Sequence, residues 1–159
     1  MMNLKEFLTQ VAKYNLQFSM PTANIDKDYK YANGCGAKGG VKFPKTMWGL
    51  NIEAACQVHD IDWTNAKSLD DLILGTEMML RNLKHIIDAE SGFIMKRARR
   101  WRAAKYITEI DLIGTPSEAV KRGFIQADHP VNKPNHAGIL GILDIIIDKM
   151  HDKFINKEQ

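Results

Sequence analysis

Hydrophobic residues recur every three or four positions along most of the chain, which is the spacing of a buried helix face. The pattern predicts a short helix after a break within "GTPSEAVKRGF" and five longer ones, over residues 3–16, 51–66, 69–89, 93–113 and 138–154. Asn3, Asn51 and Ser68 stand where they can cap the first three. Strand-like alternation is scarce, so the fold class is predicted to be mainly α.

Residues 21–44, between the first two predicted helices, have little periodicity and are rich in Gly, Asn, Asp and Lys. They are expected to form a long ordered loop, and such a loop in a small domain is commonly functional. The 159 residues are enough for a single domain, residues 1–159, with a real core. No apolar run is long enough to cross a bilayer, and the first residues lack the uninterrupted apolar stretch of a secretory signal.

Composition changes this picture at one place. Apolar residues make up 45% of the chain and charged residues 26%, which is ordinary for a soluble globular protein. Much of the excess positive charge, +3 overall, lies in "KRARRWRAAK", residues 96–105, which favours anionic partners. Trp101 among the cations suits the surface of an anionic phospholipid membrane. Nucleic acid phosphates are a second candidate, and a basic face in contact with solvent is the plainer interpretation.

Candidate chemistry lies in "AACQVHDIDW", residues 54–63, and in the glycine cluster "NGCGAKGG" some twenty residues earlier. Consecutive residues on a helix point about 100° apart, so the side chains of His59 and Asp60 diverge. If the glycine loop packs beside the helix, Asp60 can ligate a cation together with loop carbonyls, and His59 then stands next to that cation. Calcium suits such oxygen ligands. The plainer alternatives are a solvent-facing polar pair and a flexible turn.

The only two cysteines of the chain belong to these two stretches. A bridge between Cys35 and Cys56 would tie the loop to the helix at the point where the ion would need it. Two buried free thiols are the alternative, and the number of cysteines alone favours that alternative.

Joined in this order, "CGAKGG" and "ACQVHDIDW" resemble the calcium loop and the Cys-x-x-His-Asp helix of the secreted phospholipase A2 superfamily. The chain most resembles the disulfide-poor branch seen in bacteria, phages and parvovirus capsids, and "FPKTMWGLNIEAAC" fits the lead-in of that branch. The motif match covers roughly residues 30–90. It implies an antiparallel helix pair with a calcium loop, to which further C-terminal helices are added here. The implied activity is calcium-dependent hydrolysis of the sn-2 ester of glycerophospholipids at a membrane surface.

The resemblance implies a catalytic role for two residues. His59 would be the general base that takes a proton from the water attacking the ester carbonyl. The reaction would need no serine nucleophile and no acyl-enzyme. The amide of Gly36 is a candidate donor to the oxyanion that forms.

The resemblance also implies Ca²⁺ as the cofactor, with Asp60 as its carboxylate ligand. Loop carbonyls would complete the site, and these fall on Gly34, on Gly36 and on either Lys38 or Gly39. The third position is ambiguous because "AK" holds one residue more than the usual single spacer. The family cysteines that match Cys35 and Cys56 are bonded to each other, so the same disulfide is implied here.

In the family, a carboxylate from the next helix supports the imidazole of the base. This chain departs from that pattern. If the hairpin turns near residues 67–68, the partner of His59 lies near position 76, and matching "MMLRNL" to the family pattern gives the same position. The residue there is Thr76, which carries no charge. Glu77 is adjacent and has a longer side chain, and Asp111 on a later helix is a further candidate. We expect Glu77 or Thr76 to support the imidazole.

The missing acid at position 76 leaves a second hypothesis open. The protein would then be a catalytically weak or inactive phospholipase A2-like component, for example a phage virion protein or a surface-associated binding protein. Trp63, in place of the family tyrosine, donates one hydrogen bond and accepts none. A third hypothesis, a nucleic-acid-binding helical domain, leaves the glycine loop and the His-Asp pair unexplained, so nucleic acid is not the expected partner.

Compartment and oligomeric state stay open at the level of the sequence. A disulfide implies an oxidising setting, yet the sequence shows no secretory signal. Secretion, release by lysis and assembly into a particle would each reconcile the two observations.

Overall fold

Helices make up most of the part of the chain that the computed structural model describes, which is residues 2–21, 24–36 and 44–126. The elements in chain order are α1 (Leu4–Tyr14), α2 (Ile25–Asp28), a 3₁₀ turn (Tyr29–Tyr31), β1 (Thr46–Met47), β2 (Leu50–Asn51), α3 (Glu53–Asn65), α4 (Leu69–Glu90), α5 (Phe93–Glu109), a π-helical turn (Ile110–Gly114) and α6 (Thr115–Lys121). The predicted mainly α class is confirmed. The helix predicted over residues 138–154 lies outside the described residues.

Two of the predicted helix caps are present. The side chain of Asn3 accepts a hydrogen bond from the amide of Glu6, whose carboxylate accepts one from the amide of Asn3, so α1 begins with a capping box. The side chain of Ser68 accepts from the amide of Asp71 at the start of α4. Asn51 lies one residue before the cap position of α3. Its side chain accepts from the amide of Glu53, the first residue of the helix, and so satisfies one of the free amides at the start of α3.

α3 and α4 form an antiparallel hairpin joined by three residues, Ala66 to Ser68. The contacts between the two helices run in opposite directions along the chain. His59 of α3 contacts Thr76 of α4, whereas Trp63, further along α3, contacts Leu72, which is earlier on α4. Nine of the 13 residues of α3 are buried, and four of them are polar: Glu53, Gln57, His59 and Asp62. Because water cannot reach these polar groups, they need partners inside the protein.

The hydrophobic core lies between this hairpin, α1 and α5. Phe7 of α1 is fully buried and its ring lies 5.0 Å from that of Tyr29 in the 3₁₀ turn. Ile86 and Ile87 of α4 and Ile107 of α5 complete the same cluster. Apolar burial of this kind is the main force that fixes the position of α3 and therefore of its polar residues.

The region predicted as a long loop contains short structured pieces. α2 and the 3₁₀ turn lie within it, and the side chain of Asn24 caps α2 by accepting from the amide of Lys27. Just after it, β1 and β2 form a two-stranded antiparallel hairpin with Thr46 opposite Asn51. Both residues at its tip have positive φ, 48° at Trp48 and 79° at Gly49, as a type I′ turn requires.

The break predicted within "GTPSEAVKRGF" is wrong. The backbone stays helical from α5 through the π turn into α6, and the amide of Thr115 donates to the carbonyl of Ile110, five residues earlier. Pro116 has no amide hydrogen and would interrupt the usual ladder, but the wider π turn shifts the hydrogen-bond register just before it. Across residues 2–21, 24–36 and 44–126, no helix has the length and apolar character needed to cross a membrane.

Candidate functional site

His59 and Asp60 point to different neighbours, as two consecutive helical residues must. The His59 side chain lies on the face of α3 that packs on α4, and the residue is buried, at 7% exposure. The carboxylate of Asp60 lies against the backbone of the preceding loop at Asn33 and Gly34. The site therefore has a buried imidazole on one side of α3 and a loop-facing carboxylate on the other.

The contact of His59 on α4 is with Thr76, at the position predicted from the hairpin geometry. Nε2 of His59 lies 3.5 Å from Oγ1 of Thr76, the outer limit of a hydrogen bond. The hydroxyl of Thr76 already donates its only hydrogen to the carbonyl of Leu72, at 3.0 Å. The imidazole must then be the donor in the longer contact, so the proton belongs on Nε2 and Nδ1 is left as an acceptor.

Burial sets the charge of this imidazole. Desolvation lowers the pKa of His59 to about 3, because the charged ring loses its hydration in the interior. The ring is therefore neutral at neutral pH, which is the form that can accept a proton. Thr76 offers a dipole to the ring but no charge, so nothing on that side raises the pKa back toward its usual range.

Trp63 forms a wall of the histidine pocket. Its ring centroid lies 4.5 Å from that of His59, with the two planes at 48°. The indole Nε1–H donates to the carbonyl of Leu72 at 3.1 Å. The same carbonyl also accepts the hydrogen bond from Thr76. Glycines make room for the indole: a Cβ at Gly75 would lie 3.0 Å from it, and one at Gly114 would lie 3.3 Å from it. These close approaches hold the ring beside His59.

Asp60 is joined to the glycine loop by two backbone hydrogen bonds. Oδ2 accepts from the amide of Asn33 at 2.8 Å and from the amide of Gly34 at 2.9 Å. Burial raises the pKa of Asp60 to about 7, although these two amides act in the opposite direction. Because burial removes hydration from the charged carboxylate, a bound cation would stabilise it.

The predicted disulfide is confirmed, and it joins the loop to the same helix. Cys35 and Cys56 are bonded, with their Cα atoms 5.1 Å apart, and Cys56 lies one turn before His59 on α3. The glycines on either side of Cys35 have positive φ, 85° at Gly34 and 123° at Gly36, so the backbone curls there in a way that favours glycine. The bridge therefore fixes a curled backbone segment near the carboxylate of Asp60.

The residues present fit a calcium ion better than a metal that needs several side chains. Within the described part of the chain, no three His, Cys, Asp or Glu side chains converge on one point. A cation at Asp60 would thus take its other ligands from backbone carbonyls and water, which is acceptable to calcium. Gly34 lies beside Asp60, to which its amide donates, and Gly36 follows the bonded Cys35, whereas Lys38 and Gly39 lie outside the described residues.

The two other carboxylates considered as partners of His59 lie elsewhere. Glu77 is exposed on α4. Asp111 belongs to the π turn, where burial and, to a smaller extent, the charge of Glu77 raise its pKa to about 6. Glu77 and Asp111 are thus electrostatic neighbours of each other, and the residue that the structure brings against His59 is Thr76.

Sequence reasoning missed Asp62, the second aspartate of "HDIDW". Its side chain is fully buried and accepts from the amide of Ser19 with both oxygens at 3.0 Å and from the amide of Met20 at 3.1 Å. It fastens the segment after α1 to α3. One available signal was its spacing, three residues after His59, which puts both on one side of the helix.

Comparison of the chain with protein-family models, with curated proteins and with solved structures gives no match. The case for a function therefore depends on the geometry itself. That geometry unites a neutral buried imidazole, a carboxylate of the same helix that accepts from the adjoining loop, and a disulfide that holds the loop to the helix.

Proposed function

We propose that the protein is a calcium-dependent hydrolase of the sn-2 ester of glycerophospholipids. The observation that carries the proposal is the joint position of His59, Asp60 and the glycine loop tied to α3 by the Cys35–Cys56 bridge. A proton acceptor stands one residue from a site suited to a hard cation. The same arrangement supports the resemblance to phospholipase A2 that the motifs of the sequence carry.

His59 acts as the general base in this proposal. Nε2–H is directed at Thr76, so the lone pair of Nδ1 is available to take a proton from water. The water oxygen bonds to the ester carbonyl carbon as that proton leaves. The bond from this carbon to the glycerol oxygen then breaks, and the imidazolium returns the proton to that oxygen, so the products are the fatty acid and a lysophospholipid. The Gly36 amide is the proposed donor to the oxygen that becomes negative.

Asp60, with the carbonyls of Gly34 and Gly36, would hold the calcium ion. When bound, calcium supplies positive charge both for the lipid phosphate and for the developing oxyanion. The chain contributes the preformed half of this site, because the disulfide and the two amides on Asp60 fix the loop before any ion arrives. A negative group at Asp60 is required, and an amide in its place would remove the charge of the proposed carboxylate ligand.

The test is hydrolysis of mixed-chain phosphatidylglycerol vesicles with calcium and with chelator, with the released chain identified by mass spectrometry. We expect calcium-dependent release of the sn-2 fatty acid. His59→Gln should abolish release and leave calcium binding largely intact, whereas Asp60→Asn should weaken both. His85→Gln is a matched control, because His85 lies on α4 with Nδ1 near the carbonyl of Asn15 and has no role in the proposal.

Full activity of the His59→Gln variant would show that the assigned base is wrong. Release that does not depend on calcium would show that the assigned cofactor is wrong. Release of the sn-1 chain would leave a lipase but overturn the stated specificity. His85→Gln should keep full activity, and calcium binding retained by His59→Gln separates loss of chemistry from loss of folding.

Thr76 favours a second candidate function, a phospholipase A2-like protein that binds calcium and lipid with weak or no turnover. In this second case the uncharged hydroxyl beside Nε2 leaves the imidazolium without the support that a carboxylate provides. The same experiment separates the two candidates, because calcium binding at Asp60 without release of fatty acid supports the second.

A further inference from the structure

The first turn of α5 exposes large apolar side chains. Phe93 is 81% exposed and Ile94 is 79% exposed, the two highest values among the exposed large hydrophobic residues described. They follow directly after Ser91 and Gly92, where the chain turns from α4 into α5. Two adjacent side chains of this size in water represent unused hydrophobic free energy, which a suitable partner can recover.

The exposed apolar turn continues into a ridge of alternating aromatic and basic residues. Phe93, Arg97, Trp101 and Lys105 are spaced four apart, so they lie along one side of α5. All four are exposed, and Trp101 is 60% exposed. The ammonium group of Lys105 lies 4.6 Å from the centre of the Trp101 ring. This ridge, together with Ile94 and Arg102, is called the α5 surface below.

The cations of the α5 surface differ from the other cations of the helix. Arg100 and Lys96 are neighbours of Asp88, at 2.7 Å and 4.0 Å. Arg99 donates to the hydroxyl of Ser91 and to the carbonyl of Trp48. Within the described residues, by contrast, no carboxylate pairs with the three cations of the α5 surface, which are Arg97, Arg102 and Lys105.

A second tryptophan adjoins the same surface. The guanidinium of Arg102 lies 5.4 Å from the centre of the Trp48 ring, and Trp48 is 44% exposed at the tip of the β1–β2 turn. Its carbonyl accepts from Arg99 at 2.7 Å, so α5 holds the turn in its positive-φ conformation. Two tryptophans and unpaired cations are thus fixed side by side on folded backbone.

We propose that the α5 surface binds anionic phospholipid bilayers, with Phe93 and Ile94 inserted below the level of the headgroups and the cations at the level of the phosphates. Exposed apolar side chains, interfacial tryptophan and unpaired cations are the features that hold a helix in that position. A second copy of the chain fits less well, because its own α5 surface carries the same charge. Nucleic acid satisfies the cations but gives Phe93 and Ile94 no apolar environment.

This inference rests on the proposed function, because hydrolysis of phospholipids is the reason for the protein to bind a lipid surface. Binding itself is measured without turnover, in chelator and with ether-linked lipids that cannot be hydrolysed at an ester. The two proposals therefore fail separately: vesicle binding without hydrolysis keeps the inference, and hydrolysis of short-chain monomeric lipid without vesicle binding keeps the function.

The experiment is co-sedimentation with vesicles of ether-linked phosphatidylcholine containing 40 mol% ether-linked phosphatidylglycerol (about that fraction is usual for an anionic surface). We expect binding that falls steeply with added salt, since screening shortens the range of the charges. Pure phosphatidylcholine vesicles should bind at least about tenfold more weakly. The double change Phe93→Ser and Ile94→Ser should reduce partitioning by about tenfold or more, and Arg97→Glu with Lys105→Glu should reduce it by a similar factor.

Matched variants separate the α5 surface from general stickiness and charge. Ile73→Ser with Leu74→Ser removes two apolar residues of α4 that are each 40% exposed, and should leave binding unchanged. Lys5→Glu with Lys27→Glu makes the same change in net charge at two exposed lysines of other helices. Equal losses in these controls would overturn the inference, and so would DNA binding that competes with vesicles and does not depend on Phe93 and Ile94.

Discussion

α3 and α5 both pack against α4, yet they direct their polar side chains in opposite ways. The polar residues of α3 have internal partners: His59 meets Thr76, Asp60 accepts two loop amides, and Asp62 accepts those of Ser19 and Met20. α5 keeps a row of large apolar and basic side chains in solvent.

The difference teaches that charge on a helix has two meanings. A charged residue that the interior surrounds with donors sets geometry and pKa, as in α3. A cation that stands in solvent without a carboxylate partner among the described residues, as Arg97 does on α5, contributes little to stability and can act on another molecule. The predictions below test this contrast, beginning with the largest expected effect.

Substitution of Asp62 is the strongest test of the role of the buried polar residues of α3. Asp62→Ala leaves the buried amides of Ser19 and Met20 without their acceptor. We expect the free energy of unfolding to fall by about 4 kcal/mol, because each of the two amides left unpaired costs roughly 1–3 kcal/mol. Urea unfolding followed by circular dichroism measures the change.

The matched control for Asp62 is Asp88→Ala, which removes a carboxylate that pairs with cations of α5. The Asp88 side chain is 32% exposed and that of its partner Arg100 is 31% exposed. Such a pair contributes less than about 1 kcal/mol. Equal destabilisation by the two substitutions would contradict the contrast between the two helices.

The disulfide gives the next largest effect. Replacing both Cys35 and Cys56 by alanine frees a loop of 21 residues' separation, which the chain-entropy model values at about 3 kcal/mol. Calcium binding should weaken as well, because Gly34 and Gly36 lose their fixed position near Asp60. Calorimetric titration with calcium reads the second effect, and unchanged affinity in the folded variant would show that the loop does not take part in the site.

Vesicle binding by the same double-cysteine variant sharpens the comparison. The α5 surface has no contact with the bridge among the described residues, so sedimentation with anionic vesicles should be unaffected. Loss of vesicle binding together with calcium binding would mean that the two regions act as one.

The elements that the sequence predicts correctly depend on short-range rules. The spacing of apolar residues gives the helices to within a few positions at each end, and Asn3 and Ser68 satisfy amides three residues ahead. The same arithmetic works across one tight turn: a hairpin closing at residues 67–68 puts position 76 opposite His59, and Thr76 is the residue found there. Nothing beyond the helical repeat and the turn is needed for these predictions.

The features that sequence reasoning missed depend on contacts between distant segments. The π turn replaces the predicted break at Pro116, and Trp63 from another helix packs against Gly114 within it. Asp62 looks like any polar residue until the backbone of Ser19 is known to lie beside it. The two-residue strands of the Trp48 turn are too short to produce an alternating pattern.

Thr76 offers a way to sharpen the active-site half of the comparison. Thr76→Asp would put a carboxylate beside Nε2 of His59, where it stabilises the imidazolium and raises the pKa of the ring. We expect sn-2 hydrolysis to rise at least about tenfold, since a base with a pKa closer to the working pH and a supported cation is the better catalyst. Rates on phosphatidylglycerol vesicles and NMR titration of His59 give the two readouts.

Thr76→Asn is the matched control, because it offers an acceptor of similar shape without charge. It should leave the pKa of His59 low and the rate close to that of the unmodified protein. Circular dichroism must first show that both variants fold, because position 76 is fully buried and a carboxylate there lowers stability. Equal rates for the two folded variants would mean that charge at this position does not limit the reaction.

The smallest effect is expected at Asp111, a half-buried carboxylate in the π turn that continues α5. Burial, and then the charge of Glu77, raises its pKa to about 6, whereas an aspartate in the unfolded chain titrates near 4 (about 3.9). The folded state therefore binds the proton more tightly, so this group favours folding below about pH 4 and loses that contribution as the pH rises through about 6.

Asp111→Asn removes the cost of burying this charge and should raise the unfolding free energy at pH 7.5 by about 1 kcal/mol, allowing for partial solvent screening. At pH 3.5 the variant and the unmodified protein should be equally stable (to within about 0.5 kcal/mol). A variant less stable at pH 7.5 would mean that the Asp111 carboxylate has a favourable partner that outweighs its burial, and α5 would then resemble α3 more closely than the contrast allows.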